Sequence, residues 1–236
     1  MPRKVEILQD TVEMFEGRHG EILQSWNLRP RPDEPPPTIE MEPETWCDVL
    51  NAVRAIPTEL MWFHKVTVLP HRIIRLARIA IPYQECSAGH TETIDREYDA
   101  ILKELERAGE SHSEYRAWGH SHVASQAYMS RTDRRAIRKR LAVILENNPS
   151  PIVGPWVSLV VNRYAEVRCW VNFARPGNGR LRWRDLPLGL SRAIPEAELA
   201  EMLLARRSAV CERIRERVEQ RIFVPGDENG EEGSYD

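Results

Sequence analysis

Two histidines and an aspartate in the middle of the chain have the residue types and spacing of metal ligands. His120 and His122 are two positions apart, and Asp133 follows them with Ser130 three positions before it. If residues 115–119 form a strand that runs into this cluster, both imidazoles lie on one side, because side chains two positions apart on an extended segment share a face. The end of a strand and the start of the next helix can lie side by side, so we expect His120, His122 and Asp133 to bind one ion.

Three protein ligands with a fourth position left for water are typical of a catalytic zinc rather than a structural one. Such a zinc lowers the pKa of a bound water to near neutrality and polarises a carbonyl, so the predicted chemistry is the hydrolysis of an amide bond. Ser130 and Asp133 also fit a helix N-cap, with the Asp133 carboxylate at the positive end of the helix dipole. Capping alone would explain that pair, but its combination with the two histidines favours a metal site.

The complete pattern, H-S-H, seven residues and then S-x-x-D, resembles the JAMM motif of the JAB/MPN-type metallopeptidases. His120, Ser121, His122, Ser130 and Asp133 match that motif position for position. The resemblance implies a cytidine-deaminase-like fold and one zinc ion per chain, held by the two histidines and the aspartate. It also implies that the serine matching Ser130 stabilises the tetrahedral oxyanion.

The resemblance is to the prokaryotic JAB branch and covers about residues 43–175. In that family the general base is a glutamate well upstream of the motif, which activates the water and passes the proton to the leaving amine. Glu59 follows the first predicted helix at the family's position for this base, 61 positions before His120 (120 − 59), and Glu85 is the alternative. The family usually has small, glycine-rich residues after its glutamate, whereas residues 60–65 read Leu-Met-Trp-Phe-His-Lys, which predicts a bulkier wall beside the site. Val123 stands where many relatives have proline, and we expect little consequence for metal binding.

Helical and strand patterns alternate along the chain, which predicts an α/β (α+β) domain with helices flanking a mixed β-sheet. Helices are predicted at Val5 to Trp26 (one helix or a pair), from Pro43 to Pro57, and at Asp95 to Ala108, Thr132 to Glu146 and Pro195 to Phe223. Strands are predicted at Leu60 to Leu69, around Ile74 to Ile81, and at Tyr115 to Gly119, Trp156 to Val161 and Val167 to Phe173.

Proline and charge divide the chain into three parts. Residues 1–40 form an N-terminal arm that ends in the proline-rich linker Pro30 to Pro37, because proline removes backbone donors from helix and sheet. Residues 41–225 form the metallopeptidase domain with its C-terminal helix, and the acidic residues 226–236 are expected to be disordered. The arm and the C-terminal helix either pack on the domain or form a surface for a modifier, an E2-like partner or a second copy of the chain.

The 33 basic and 36 acidic side chains nearly cancel, so neither nucleic acid nor a membrane is a predicted partner. A basic run from Arg131 to Arg140 is either a solvated helix face or a contact for an acidic partner. No window has the roughly 18 apolar residues that span a bilayer, and no signal peptide is recognisable. Four widely spaced cysteines without a CxxC pair indicate free thiols and a cytoplasmic protein.

The resemblance implies a zinc isopeptidase or peptidase that cleaves after the C-terminus of a ubiquitin-like protein. Prokaryotic relatives often accompany E1- and E2-like proteins, in some cases in antiviral defence islands. One alternative is a zinc amidase or peptidase that acts on small or cell-wall substrates. Another is a non-catalytic MPN-type scaffold, although scaffolds of that kind have lost ligands that this chain retains.

Overall fold

A mixed β-sheet organises the molecule, and eight of the strands in the described part of the chain form it. The computed structural model describes residues 12–16, 22–26, 35–87, 90–93, 101, 103–111, 114–123, 125–147, 153–174 and 180–220. The strands are β1 (Val12–Glu16), β2 (Ile22–Trp26), β3 (Thr38–Met41), β4 (Met61–Leu69), β5 (Ile73–Ala80), β6 (Gln84–Ser87), β7 (His90–Thr93), β8 (Ala117–Ser121), β9 (Val153–Val161), β10 (Val167–Ala174), β11 (Arg180–Leu186), β12 (Leu188–Leu190) and β13 (Val218–Gln220). The helices are α1 (Pro43–Ala55), α2 (103–107), α3 (Arg131–Asn147) and α4 (Glu196–Arg217).

The main sheet has the strand order β11-β10-β9-β8-β4-β5-β3-β12, so β8 lies near its middle. β8 pairs antiparallel with β4 and parallel with β9, which makes the sheet mixed. A smaller sheet, β13-β6-β7, and the hairpin β1-β2 complete the described strands. The predicted class, a mixed α/β structure with helices flanking the sheet, is confirmed.

The two faces of the main sheet bury different sets of side chains because strand residues alternate between faces. On one face the main hydrophobic core includes Val49 and Val53 of α1, Trp62 of β4 and Val210 and Ile214 of α4. On the other face two smaller clusters form, one under α3 and one beside α2. In the cluster under α3, buried Ile137 and Leu141 pack against β9 and β10 residues Trp156, Val160 and Trp170.

Polar contacts between α1 and α4 show that the C-terminal helix packs on the domain. Arg206 donates two hydrogen bonds to the buried Asp48 carboxylate, at 2.7 and 2.8 Å. The Asn51 side-chain amide donates to the Leu203 carbonyl at 2.9 Å. Because Val210 and Ile214 also lie in the main core, α4 covers that face of the sheet.

Most predicted elements near the motif are confirmed within a few residues. Pro43 is at the first turn of α1, and α1 ends just before Pro57 as predicted. The helix predicted to end at Gly109 is described at 103–107, and Gly109 has the positive φ (+72°) of a glycine C-cap. The strand entering the motif is displaced by two residues, to Ala117–Ser121.

The helix predicted at Val5 to Trp26 is wrong where the structure describes it. Val12–Glu16 and Ile22–Trp26 are strands that pair antiparallel, with Val12 opposite Trp26. Apolar Val12 and Met14 alternate with polar Glu13, which fits a strand as well as a helix. The two glycines at 17 and 20 fall between the strands, and Gly favours turns over helix interiors. Residues 1–11 lie outside the described residues.

The predicted C-terminal helix is too long at its end. α4 ends at Arg217, and Val218–Gln220 form β13, which pairs in parallel with β6. The parallel partner supplies backbone hydrogen bonds that the sequence periodicity does not reveal.

The other two predicted segments are the tail and the N-terminal arm. The predicted tail, 226–236, lies outside the described residues. The predicted arm ends inside β3, which pairs with β5 and β12 of the main sheet.

Within the described residues, none of the helices is both long and apolar enough to span a bilayer. All four cysteines, Cys47, Cys86, Cys169 and Cys211, are free thiols, as predicted.

Candidate metal centre

The two histidines lie at the carboxyl end of β8, on the face covered by α3. His120 pairs with Met61 of β4 on one side and with Val160 of β9 on the other. Both imidazoles are buried, with 2% of His120 and 6% of His122 exposed. Trp118, two positions earlier on the same face, stacks on the His120 ring with ring centroids 4.7 Å apart. The strand therefore orients both rings to one side, as the i and i+2 spacing predicts.

Asp133 reaches the histidines from the first turn of α3. Its backbone N–H donates to Ser130 Oγ at 3.1 Å, while the Ser130 backbone N–H donates to Asp133 Oδ2 at 2.7 Å. These reciprocal bonds form an N-terminal capping box and fix the Asp133 carboxylate. Asp133 Oδ1 is 3.4 Å from His120 Nε2, and Oδ2 is 4.0 Å from His122 Nε2. The hydrogen bonds that cap α3 therefore also hold the Asp133 carboxylate beside the two histidines, so capping and metal binding are compatible explanations of this pair.

The ligand atoms of these three residues fit a metal ion. One atom each from His120, His122 and Asp133 all lie within 4.8 Å of one another. Neither ring nitrogen of His120 has a hydrogen-bond partner, so its approach to Asp133 is a close contact and not a formed hydrogen bond. A buried polar atom without a partner costs free energy, and a metal ion would satisfy one of the two nitrogens.

His122 is held in the ring orientation that suits a ligand. Its Nδ1 is 3.1 Å from the Gln126 carbonyl oxygen. A proton on Nδ1 donates to that carbonyl, which leaves the Nε2 lone pair facing Asp133. The exposed Tyr128 ring lies edge-on to His122, with centroids 4.9 Å apart.

The electrostatics keep these ligands in their metal-binding protonation states. Burial lowers the pKa of His122, an effect that the Gln126 carbonyl only partly opposes, so the neutral imidazole is favoured. Burial alone would raise the pKa of Asp133, but the nearby His120 imidazole and Ser130 lower it to about 2. Metals bind neutral imidazole and ionised carboxylate, so no deprotonation cost opposes binding by these two groups near neutral pH.

Glu59 lies beside the histidines in the sheet register. Ser121 N–H donates to the Leu60 carbonyl at 2.8 Å, and Leu60 N–H donates to Ser121 Oγ at 2.9 Å. Met61 pairs with His120 and Leu60 is bonded to Ser121, so the same register continued by one residue places Glu59 level with His122. Glu59 is half-buried, and its own N–H donates to the Ser87 carbonyl at 3.0 Å.

Glu85 lies on a different sheet. It is on β6, where it pairs with Glu92 of β7 and Glu219 of β13. Its neighbour Gln84 uses its side-chain amide to bond both the N–H and the carbonyl of Met61, each at 2.8 Å. Since successive strand residues face opposite sides, the Glu85 side chain is directed away from Met61 and from the site.

Alternation also decides which of the bulky residues after Glu59 lie near the site. Leu60 and Trp62 are fully buried in the main core on the opposite face. His64 follows them on that face, where its Nε2 accepts a hydrogen bond from Trp62 Nε1 at 2.7 Å. Met61, opposite His120, and Phe63, opposite Trp118, are therefore the bulky residues of this segment on the face of the candidate metal ligands.

Sequence reasoning missed the loop between His122 and Ser130. Val123 has a positive φ (+32°), which is strained for a β-branched residue. The loop is tied to the β9–β10 hairpin: Arg163 N–H donates to the Val123 carbonyl, and Asn162 Nδ2 donates to the Ser125 carbonyl, each at 3.0 Å. Only Asn162, which follows the predicted strand Trp156 to Val161, gave a sequence signal, because Asn favours turns that bond its own backbone.

Comparisons with known proteins do not assign a family. No family model matches the chain. No curated protein matches it. Among solved structures, it is similar to the solution structure of protein DSY2949 from Desulfitobacterium hafniense, with 17% identity and a TM-score of 0.42 over 69% of this chain and 98% of that one.

Proposed function

We propose that this protein is a JAMM-type zinc metallopeptidase that hydrolyses a peptide or isopeptide bond after the C-terminus of a ubiquitin-like protein. The observation that carries the proposal is the buried group of His120, His122 and Asp133, whose ligand atoms lie within 4.8 Å of one another. Two imidazoles and one carboxylate suit zinc better than magnesium or calcium, which prefer oxygen ligands. The ubiquitin-like substrate, and the JAB/MPN fold proposed for the domain, rest on the resemblance of the motif.

The residues around the ligands fit the roles of a hydrolase. A bound zinc would lower the pKa of a water and polarise the substrate carbonyl. Glu59, level with His122 in the sheet register, would accept the proton of the attacking water and return it to the leaving amine. Ser130 Oγ accepts the Asp133 N–H, so its own proton remains able to donate to the developing oxyanion.

Cleavage of two probes tests the function. We expect zinc-loaded protein to cut ubiquitin fused through its C-terminus to a fluorescent protein, and His120→Ala and chelated protein to be inactive. His71→Asn is the matched control, because His71 is exposed in the turn after β4 and its positive φ (+61°) suits Asn. Efficient cleavage of short peptide amides with no cleavage of the fusion would instead indicate a small-substrate amidase. Cleavage of neither probe would indicate a scaffold.

A further inference from the structure

α3 carries an exposed stripe of cations that begins at the metal site. The stripe, here called the basic face, consists of Arg131, Arg134, Arg135, Arg138 and Lys139. Arg131, Arg135, Arg138 and Lys139 are exposed, and Arg134 is half-buried, with its Nε donating to the Ser130 carbonyl at 3.1 Å. Arg131, Arg135, Arg138 and Lys139 recur at spacings of three and four positions on the exposed side of α3, and Arg134 borders the face that buries Ile137 and Leu141.

The basic face has no acidic partner in the described part of the chain. Several arginines elsewhere are paired, including Arg206 with Asp48, Arg217 with Glu104 and Arg192 with Glu44. None of the five cations on α3 forms an ion pair with a described residue. Asp133 is the acid in the first turn of α3, and it faces the histidines.

This placement of charge opposes helix stability. Arg131 and Arg134 lie in the first turn of α3, where the helix dipole is positive, and its last turn has no basic residue. Pairs such as Arg131–Arg135, Arg134–Arg138 and Arg135–Lys139 bring like charges within four positions of one another, which also destabilises a helix. A role in folding does not account for such a pattern, whereas binding of an anionic partner does.

We propose that the basic face docks an acidic segment of the protein substrate, an inference that rests on the proposed function for the identity of that partner. Guanidinium groups pair with carboxylates in bidentate geometry, so acidic side chains are suitable partners. Nucleic acid is less suited, because the stripe contains no aromatic residue for base stacking and the chain has a net charge of −3. From Arg131 to Lys139 the helix rises by roughly 12 Å, so a folded protein can contact this stripe while its tail reaches the ligands, whereas an amide probe of two or three residues is too short to do both.

Binding of a labelled decaglutamate peptide, followed by fluorescence anisotropy, tests this docking surface. We expect wild-type protein to bind it at about 50 mM NaCl and more weakly at about 200 mM, because screening weakens exposed charge pairs. The variant R135E/R138E should bind at least about tenfold more weakly. R207E/R215E is the matched control, since Arg207 and Arg215 are equally exposed on α4 and the change in net charge is the same; it should bind like wild type.

Thermal unfolding tests whether R135E/R138E binds more weakly because it loses the docking surface or because it is less stable. Glu at 135 and 138 replaces the like-charge pairs with Arg131, Arg134 and Lys139 by pairs of opposite charge, so the melting temperature of R135E/R138E should be equal to or above that of wild type. Equal decaglutamate binding by R135E/R138E and wild type, or equal weakening by R207E/R215E, would overturn the proposal. So would tighter binding of a ten-nucleotide RNA, or decaglutamate binding seen only after removal of the acidic residues 226–236.

The cleavage assay distinguishes failure of the docking proposal from failure of the proposed function. If both hold, R135E/R138E cuts the short peptide like wild type but cuts an acidic ubiquitin-like fusion more slowly. If docking fails, the variant cuts both probes like wild type. If the proposed function fails, neither protein cuts the fusion, and the loss of decaglutamate binding in the variant remains measurable.

Discussion

Specific contacts leave a candidate ligand atom available on His122 and on Asp133, whereas His120 makes no such contact. The Gln126 carbonyl holds His122 Nδ1, the Ser130 N–H holds Asp133 Oδ2, and both His120 nitrogens are buried without a partner. The spacing in the sequence was enough to predict that these three residues meet, because strand alternation and helix capping are local rules. The Gln126 contact could not be predicted, since a main-chain carbonyl in an irregular loop has no residue-type signal.

Replacing the proposed general base tests whether Glu59 acts on protons or on the metal. Glu59→Gln should retain zinc but lower kcat by at least about a hundredfold, because the amide cannot accept a proton. Glu85→Gln is the control and should be as active as wild type, since Glu85 lies on β6 with its side chain directed away from the site. Activity that survives Glu59→Gln and falls in Glu85→Gln would reverse this assignment.

Ser130 has two separable roles, since its Oγ caps α3 and its proton is proposed to stabilise the oxyanion. Ser130→Ala should lower the free energy of unfolding by about 1 kcal/mol and reduce kcat while most of the zinc stays bound. Ser130→Thr keeps the hydroxyl and should retain both properties. A Ser130→Ala protein as fast as its parent would remove the oxyanion role and leave only the cap.

Among the helices and strands, prediction succeeded in segments whose apolar residues follow a single period, either helical or alternating. α1, β4, β9 and β10 have clear helical or alternating patterns and were placed within a few residues. The hairpin β1-β2 and the short strand β13 were missed for different reasons. The first has a pattern that fits either structure, and the second depends on pairing with β6, which is distant in sequence.

The loop between β8 and α3 holds backbone strain at Val123, which has a φ of +32°. Val123→Gly should raise the free energy of unfolding by about 1 kcal/mol and keep the metal, because glycine adopts positive φ without a steric penalty. Val123→Pro should destabilise the protein and weaken zinc binding, because proline fixes φ near −65°. Thermal unfolding and zinc titration measure both effects.

A Val123→Pro protein with unchanged stability and zinc affinity would show that this loop conformation is not required. That result would also fit the sequence expectation that valine in place of proline at this position has little consequence for metal binding.

In the molecule as a whole, the candidate site and the largest hydrophobic core lie on opposite faces of the main sheet. One face bears α1, α4 and the largest core, and the other bears the candidate metal ligands and α3. His64 is the exception to this division, a fully buried histidine on the core side. Its Nε2 accepts from Trp62, and its Nδ1 has no partner.

Burial lowers the pKa of His64 from 6.5 to about 3, so the folded protein resists its protonation. The unfolded chain binds this proton first as the pH falls, and stability is therefore lost from about pH 6.5 downwards. The loss should approach about 1.4 kcal/mol per pH unit from this group until the pH reaches its folded pKa. Chemical denaturation of metal-free protein between pH 7 and pH 4 measures this slope.

His64→Gln keeps an acceptor for Trp62 but removes the titrating group. The free energy of unfolding of this variant should therefore change less with pH, by up to about 1.4 kcal/mol per pH unit. His71→Asn, at an exposed position, should leave the slope unchanged. If His64→Gln has the slope of wild type, the acid sensitivity comes from other groups.

The metal content of the purified protein tests the central claim most directly. After loading with zinc and dialysis, wild-type protein should hold one zinc ion per chain by elemental mass spectrometry, and His120→Ala and Asp133→Asn should hold far less, while His71→Asn holds the wild-type amount. Wild-type protein with no retained zinc, or a His120→Ala variant that retains the full amount, would contradict the assignment of His120, His122 and Asp133 as its ligands.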